Sequence, residues 1–157
     1  MKGESVIPRK YFVVSGKGLS EVSMLNAYDR ALLDAGIGNY NLVPVSSIIP
    51  PGAEEIEPIK LPPGSIVFVV IAKAEGREGT VSAGMAWYSG ESEECGFVVE
   101  AHGNTDIGEI GRRLKSMIEE MGKARGINVE AVKMRIETLD IPKGLYGCVI
   151  VALVMVV

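Results

Sequence analysis

Histidine occurs once in this chain, as His102, and cysteine twice, as Cys95 and Cys148. One histidine leaves a Ser-His-Asp hydrolase a single candidate base, and no G-x-S-x-G elbow is present to carry its serine. The two cysteines form no C-x-x-C or Cys/His cluster, so no zinc site is expected and no metal is assigned. Each stands beside a glycine in an apolar stretch, and both are read as buried, reduced core thiols. There is no G-x-G-x-x-G after a strand and no Walker A pattern, and helix C-capping accounts for the lone Gly36-Ile37-Gly38. A surplus of positive charge is also missing. Sixteen Lys and Arg against twenty Asp and Glu give a net charge of −4, which argues against a nucleic-acid partner. The basic residues between Arg112 and Arg135 are interrupted by acids, as on the solvated face of a helix and the strand after it. The apolar run Cys148–Val157 is too short to span a bilayer as a helix, and its valines favour a strand buried on both faces. The first ten residues are polar and charged, without a signal-peptide core. These absences lead to the expectation of a cytoplasmic protein with no membrane partner.

What is present is the composition of a folded domain. The chain has 157 residues, 47% hydrophobic and 23% charged, enough for one domain spanning 1–157 with a filled core. Tyr11–Ser15 reads as a first strand, closed by Gly16-Lys17-Gly18. Ser20 or Ser23 caps a helix whose apolar positions Met24, Leu25, Ala27, Tyr28, Ala31 and Leu32 keep helical spacing, with Gly36 as its C′ residue. Asp29 lies in this helix, near the edge of the apolar stripe. Asn39–Val45 is a second strand, and the five prolines between Pro50 and Gly64 mark a loop. Ser65–Ala74, Thr80–Tyr88 and Cys95–Ala101 follow as strands. The small residues around Gly84 suggest close packing against another layer. Thr105 or Asp106 caps a second helix running to about Lys123 or Arg125. Val132, Met134 and Ile136 then alternate with Lys133, Arg135 and Glu137, the pattern of a half-exposed strand, and Cys148–Val157 closes the chain. Seven or eight strands with only two helices exclude a doubly wound sheet. Helices outside two facing sheets, an α+β layered sandwich, satisfy the count.

The polar pair Ser46-Ser47 stands out at the end of the apolar strand Leu42, Val43, Val45. One reading is a polar turn before the Pro50-Pro51 breaker. The other is a serine held in a strained turn, its hydroxyl poised to attack the preceding carbonyl. Glu100 interrupts the apolar strand Phe97-Val98-Val99. A carboxyl there is either desolvated, which favours its neutral and proton-donating form, or simply marks where the strand emerges into water. His102 reads as a polar strand-end residue.

The segments LNAYDRALLDAGIGNYNLVPVSSIIPPGAE, CGFVVEAHG and LYGCVIVALV resemble the archaeal pyruvoyl-dependent arginine decarboxylases, from about residue 11 to the end. The resemblance implies a four-layer αββα sandwich, with two helices outside facing, largely antiparallel sheets. It further implies a homotrimer of cleaved protomers with sites between neighbouring subunits. The precursor would cut itself between Ser46 and Ser47. Ser47 would become a pyruvoyl group, with no pyridoxal phosphate and no metal, and Ser46 a new carboxyl terminus. L-Arginine would form an imine with that group and lose carbon dioxide to give agmatine, a precursor for polyamine synthesis. By the same resemblance Glu100 returns a proton to the α-carbon, and Asn41 positions substrate or polarises the scissile bond. Asp29 would pair with the guanidinium, and Leu32 and Ser46 make further substrate contacts. Alternatives are the same chemistry on another amino acid, such as histidine or lysine, and an unprocessed, inactive trimeric binding protein. The family pattern departs at Ala101-His102-Gly103, where some relatives carry a second acid. Lys73–Glu94 is loosely matched and receives no functional residue.

Overall fold

A computed structural model describes residue 3 and residues 5–157. Residues 1, 2 and 4 lie outside it, and with them part of the polar N-terminal stretch. The described chain forms nine strands and two helices. They are β1 (Lys10–Ser20), α1 (Met24–Asp34), β2 (Asn41–Pro44), β3 (Ile48–Ile49), β4 (Glu54–Glu55), β5 (Ile66–Gly76), β6 (Gly79–Tyr88), β7 (Gly96–Gly103), α2 (Ile107–Ala124), β8 (Lys133–Ile141) and β9 (Tyr146–Val156). One sheet has the order β2-β5-β9-β1-β4 and the other β3-β7-β6-β8. The pairings are antiparallel except β1 with β4 and β2 with β5.

Three apolar layers hold this stack together. Ala27 and Ala31 of α1 pack with Phe12, Val69, Ile150 and Ala152 on the outer face of the first sheet. Tyr11, Val70 and Leu153 meet Met85, Trp87 and Val98 between the sheets. Ile110, Leu114 and Ile118 of α2 cover Ala86, Phe97 and Val99 on the outer face of the second sheet. The molecule is therefore an αββα sandwich, as the element count requires.

The helix ends follow the sequence signals and settle the two cap alternatives. The Ser23 hydroxyl accepts from the Asn26 amide at 3.1 Å, and Asp106 accepts from the Glu109 amide at 2.9 Å. Both helices close in the same way. The amides of Gly36 and Ile37 bond the Leu33 and Leu32 carbonyls, and those of Gly126 and Ile127 bond Lys123 and Gly122. Gly36 and Gly126 have φ of 81° and 67°, the left-handed geometry this closure needs.

Three readings from sequence change. Gly16-Lys17-Gly18 does not end β1. The strand runs on to Ser20 in register with β9, because glycines there let α1 lie directly on the strand backbone. A Cβ at Gly16 would stand 2.7 Å from the Ala35 nitrogen, and one at Gly18 2.6 Å from the Ala31 nitrogen. Gly84 serves α2 in the same way, since a Cβ there would meet Ile110 at 2.7 Å. Second, the segment 48–55 contains two short strands, too brief to show periodicity. Third, the charged face of β8, although Lys133 and Arg135 stay exposed, is tied to the first sheet. Arg135 donates to the Ser15 hydroxyl at 3.0 Å and to the Val13 carbonyl at 3.2 Å, and Ser15 donates to Glu137 at 3.1 Å. This network closes one side of the sandwich. The opposite side stays open.

Candidate active site

On the open side both sheets lose their edge strands at the same height. β2 pairs with β5 only as far as Val69, and β3 pairs with β7 only at Gly96 and Phe97. Beyond these points the edges of β5 and β7 are free. The chain passes from one sheet to the other between β2 and β3, and Ser46-Ser47 is that link. Each side of the link is anchored to a different sheet. The Val45 amide donates to the Val69 carbonyl at 2.9 Å, and the Ser47 carbonyl accepts from the Val98 amide at 2.8 Å. Ser46 is exposed and Ser47 half-buried. Among the described residues no residue other than glycine has a positive φ, so the bend carries no left-handed strain. The fold provides tethering to two sheets instead.

One cavity borders the link and a second lies further along the strand edges. The first, of about 220 Å³, is apolar and includes Val6, Pro8, Ser46, Phe68 and Met155 in its wall. The second, of about 450 Å³, opens between the free edges and is lined by Ile71, Lys73 and Glu75 of β5 and Glu100 and His102 of β7. Alternation along β7 puts Glu100 on the same face as Val98. It stands two residues, about 7 Å, beyond the strand position that holds the Ser47 carbonyl. Glu100 is exposed by surface area in the isolated protomer. The walls of the cleft nevertheless remove enough water to raise its pKa, with His102 pulling weakly the other way. A carboxyl in this setting stays protonated to higher pH than an ordinary glutamate.

Ser47 and Glu100 thus lie along one strand, Ser47 bonded to it at Val98 and Glu100 two residues further on, while Ser46 lines the other cavity. Asn41, Asp29 and Leu32 do not join them. Asn41 opens β2, about 16 Å of extended chain from Ser46, and its side-chain amide donates to the Gly64 carbonyl at 3.0 Å. Asp29 is exposed on α1, and Leu32 is half-buried against the layer beneath that helix. Sequence reasoning missed the β5 wall. Lys73 pairs with Glu75 at 3.1 Å and sits 4.7 Å above the Tyr28 ring. The signal was present in Lys73 and Glu75, set at alternate positions at the end of the apolar run from Ile66 to Ala72. The thiols also divide. Cys148 is buried, but Cys95 is only half-buried, because it lies just before β7 in the connection from β6.

The family model for pyruvoyl-dependent arginine decarboxylase matches residues 10–157. A pyruvoyl-dependent arginine decarboxylase of Methanopyrus kandleri is 47% identical over 128 residues, covering 81% of this chain and 83% of the relative. Pyruvoyl-dependent arginine decarboxylase 2 of Archaeoglobus fulgidus is 39% identical over 133 residues, covering 80% and 83%. The enzyme of that name from Methanothermobacter thermautotrophicus is 38% identical over 128 residues, again covering 80% and 83%. The chain belongs to the pyruvoyl-dependent arginine decarboxylase family.

Proposed function

We propose that this chain decarboxylates L-arginine to agmatine and carbon dioxide, after cutting itself between Ser46 and Ser47 within the single domain 1–157. The observation that carries the reading is the Ser47 carbonyl, held at 2.8 Å by the Val98 amide with Glu100 two residues further along the same strand.

The same link serves both stages. In the first, the Ser47 hydroxyl attacks the Ser46 carbonyl carbon, and the amide becomes an ester with a free amine on residue 47. Elimination then expels Ser46 as a carboxylate and leaves dehydroalanine. Water replaces its nitrogen, ammonia leaves, and a pyruvoyl group caps the larger fragment. Tethering on both sides limits the motion of the attacking and attacked atoms, which is how a fold favours an intramolecular step. The residues present suit the group, because its only source is Ser47 and its amide carbonyl is already hydrogen-bonded in the uncut chain.

The pyruvoyl group supplies a ketone for the substrate amine and a conjugated amide carbonyl that takes up electrons as carbon dioxide leaves. The Val98 amide then faces developing negative charge. Loss of one such donor costs about 3 kcal/mol in comparable sites. Glu100, whose carboxyl the cleft holds protonated to higher pH than an ordinary glutamate, delivers a proton to the α-carbon. Asp29 pairs with the guanidinium through the planar fork that distinguishes arginine from lysine. Leu32, Asn41 and the Ser46 carboxylate make the remaining contacts.

Because Asp29 and Asn41 stand away from Glu100 in one protomer, the reading includes a homotrimer whose neighbours complete each site. Exposed apolar residues support it. Leu25, one helical turn from Asp29, is 73% exposed, and Ile66, paired with Asn41 across β2 and β5, is 70% exposed. The reading includes no pyridoxal phosphate, metal, nucleic acid or membrane. Among the described residues no helix is long and apolar enough to cross a bilayer, and a cytoplasmic location is the matching proposal.

Denaturing mass spectrometry tests the first stage. Two fragments are expected, the larger starting with a pyruvoyl group, whereas Ser47→Ala stays intact. Cleavage of Ser47→Ala would end the proposal. Incubation of the cleaved protein with a panel of amino acids tests the second. Agmatine from arginine is the expected product, and another amine without agmatine would reject the substrate.

A further inference from the structure

Decarboxylation of an amino acid to an amine consumes one proton per turnover, since carbon dioxide leaves and a hydrogen takes its place on the α-carbon. Glu100 therefore ends each cycle ionised and must regain a proton from solvent. We propose that His102 returns it, acting as a positioning residue that relays protons from the open end of the cleft to Glu100. The proposal rests on the reading of Glu100 as the proton donor.

The order of residues along β7 supports it. Val98 holds the Ser47 carbonyl, Glu100 follows, and His102 is next on the same face, one residue before the strand ends at Gly103. The Cα atoms of consecutive positions on one face are about 7 Å apart, so their side chains are close enough to share a bridging water. Glu100 and His102 both line the cleft at the free edge of the sheet, and His102 is exposed to solvent. Imidazole is the side-chain chemistry that takes up and releases protons near neutral pH, and this is the chain's single histidine.

The other groups facing the cleft do not compete for this role. Lys73 and Glu75 are paired at 3.1 Å. Burial works against the charge of Lys73, but Glu75 outweighs it and raises the pKa, so the ammonium keeps its proton. On the adjacent strand β6, His102 and Glu100 are opposite Ala83 and Met85, which do not titrate. From α2, on the other face, Arg113 donates to the His102 carbonyl at 3.3 Å, which fixes the backbone and leaves the ring free. In the relay, imidazolium gives a proton through water to the Glu100 carboxylate. Neutral imidazole then takes one from solvent, with no oxidation or reduction.

The test uses fully cleaved, pyruvoyl-bearing His102→Gln and His102→Asn, with wild type and Glu100→Gln in parallel. Self-cleavage and KM are expected to stay at wild-type values in the His102 variants. Their kcat should fall about tenfold at neutral pH, a modest share of what proton transfer contributes, and added imidazole should restore it. Wild-type kcat in both His102 variants, or a loss that imidazole does not restore, would overturn the relay. If Glu100→Gln kept wild-type kcat, the donor reading itself would fail. An inactive Glu100→Gln beside fully active His102 variants would remove the relay alone.

Discussion

Gly16→Ala is expected to unseat α1, and the cost follows from the packing. The added Cβ would lie 2.7 Å from the Ala35 nitrogen, 3.0 Å from the Ala35 Cβ and closer still to the Ala31 carbonyl oxygen. Ordinary contact begins near 3.5 Å, so the helix must retreat by roughly 0.8 Å or more. The obstructing atoms are mostly helix backbone, so no side-chain rotation relieves the clash. Overpacking of this kind costs ~1–3 kcal/mol, and the rigid neighbour places Gly16→Ala at the upper end. In a domain of this size each kcal/mol lowers Tm by about 2–4 °C, which gives a fall of roughly 6–12 °C. The melt is best followed by circular dichroism at fixed protein concentration in a Ser47→Ala background, so that every sample is one uncut chain. Gly111→Ala is the opposing control. Its Cβ would meet only the Ile136 Cδ1, at 3.7 Å, inside α2. Removing a helical glycine there should add about 1 kcal/mol, or about 2–4 °C. A Gly16→Ala melt within about 2 °C of its parent would refute the close seating of α1.

Asp29→Asn should raise KM for arginine about 10- to 100-fold, the worth of a charged hydrogen bond, while the rate of self-cleavage stays unchanged; equal loss of both would assign Asp29 a structural role. Glu100→Gln should remove most of kcat while leaving KM for arginine near its wild-type value. In wild type, burial raises the Glu100 pKa, so the proton-donating form persists above the ordinary carboxylate range. The kcat profile should therefore fall as pH rises through that elevated value, and a fall centred at the pKa of a free glutamate would contradict the desolvation argument. The Cys148 thiol is pushed up to about 12, chiefly by burial and next by the Glu75 charge. Iodoacetamide near pH 8 should label half-buried Cys95 in the native protein and spare Cys148 until the fold is melted, with the outcome read by peptide mass spectrometry.

The layers were legible because they depend on periodicity. Helical spacing in α1 and α2 and alternation in β8 each predict one buried face, and those faces form the three apolar layers. β3 and β4 were not legible, because two residues carry no period. The course of β1 through Gly16 and Gly18 was not legible either, because a glycine that ends a strand looks the same in sequence as one that admits a helix. Ser46-Ser47 and Glu100 stood out as polar interruptions of apolar runs. That Ser47 is bonded to the strand carrying Glu100 was hidden, because the pairing arises where the chain crosses between two sheets. The part of Val98 could not be read at all, since its contribution is a backbone amide that any residue but proline supplies. Asn41 and Asp29 remain apart from Glu100 in the protomer, which no spacing in the sequence could show.

The place of β1 has a consequence for the two fragments that a cut at Ser46 would create. The smaller fragment would carry β1, α1 and β2, and β1 lies between β9 and β4 of the larger one, in register with β9 from Lys10↔Val156 to Ser20↔Tyr146. Cutting would not release a tail. It would leave two polypeptides woven through a common sheet, with separation requiring the loss of an interior strand. Before the cut, pairing β1 with β9 closes a loop within one molecule; afterwards the same pairing becomes an encounter between two, governed by concentration. Folding would then be available chiefly to the precursor, and a mature enzyme once melted in dilute solution would have lost the covalent memory of how to reassemble.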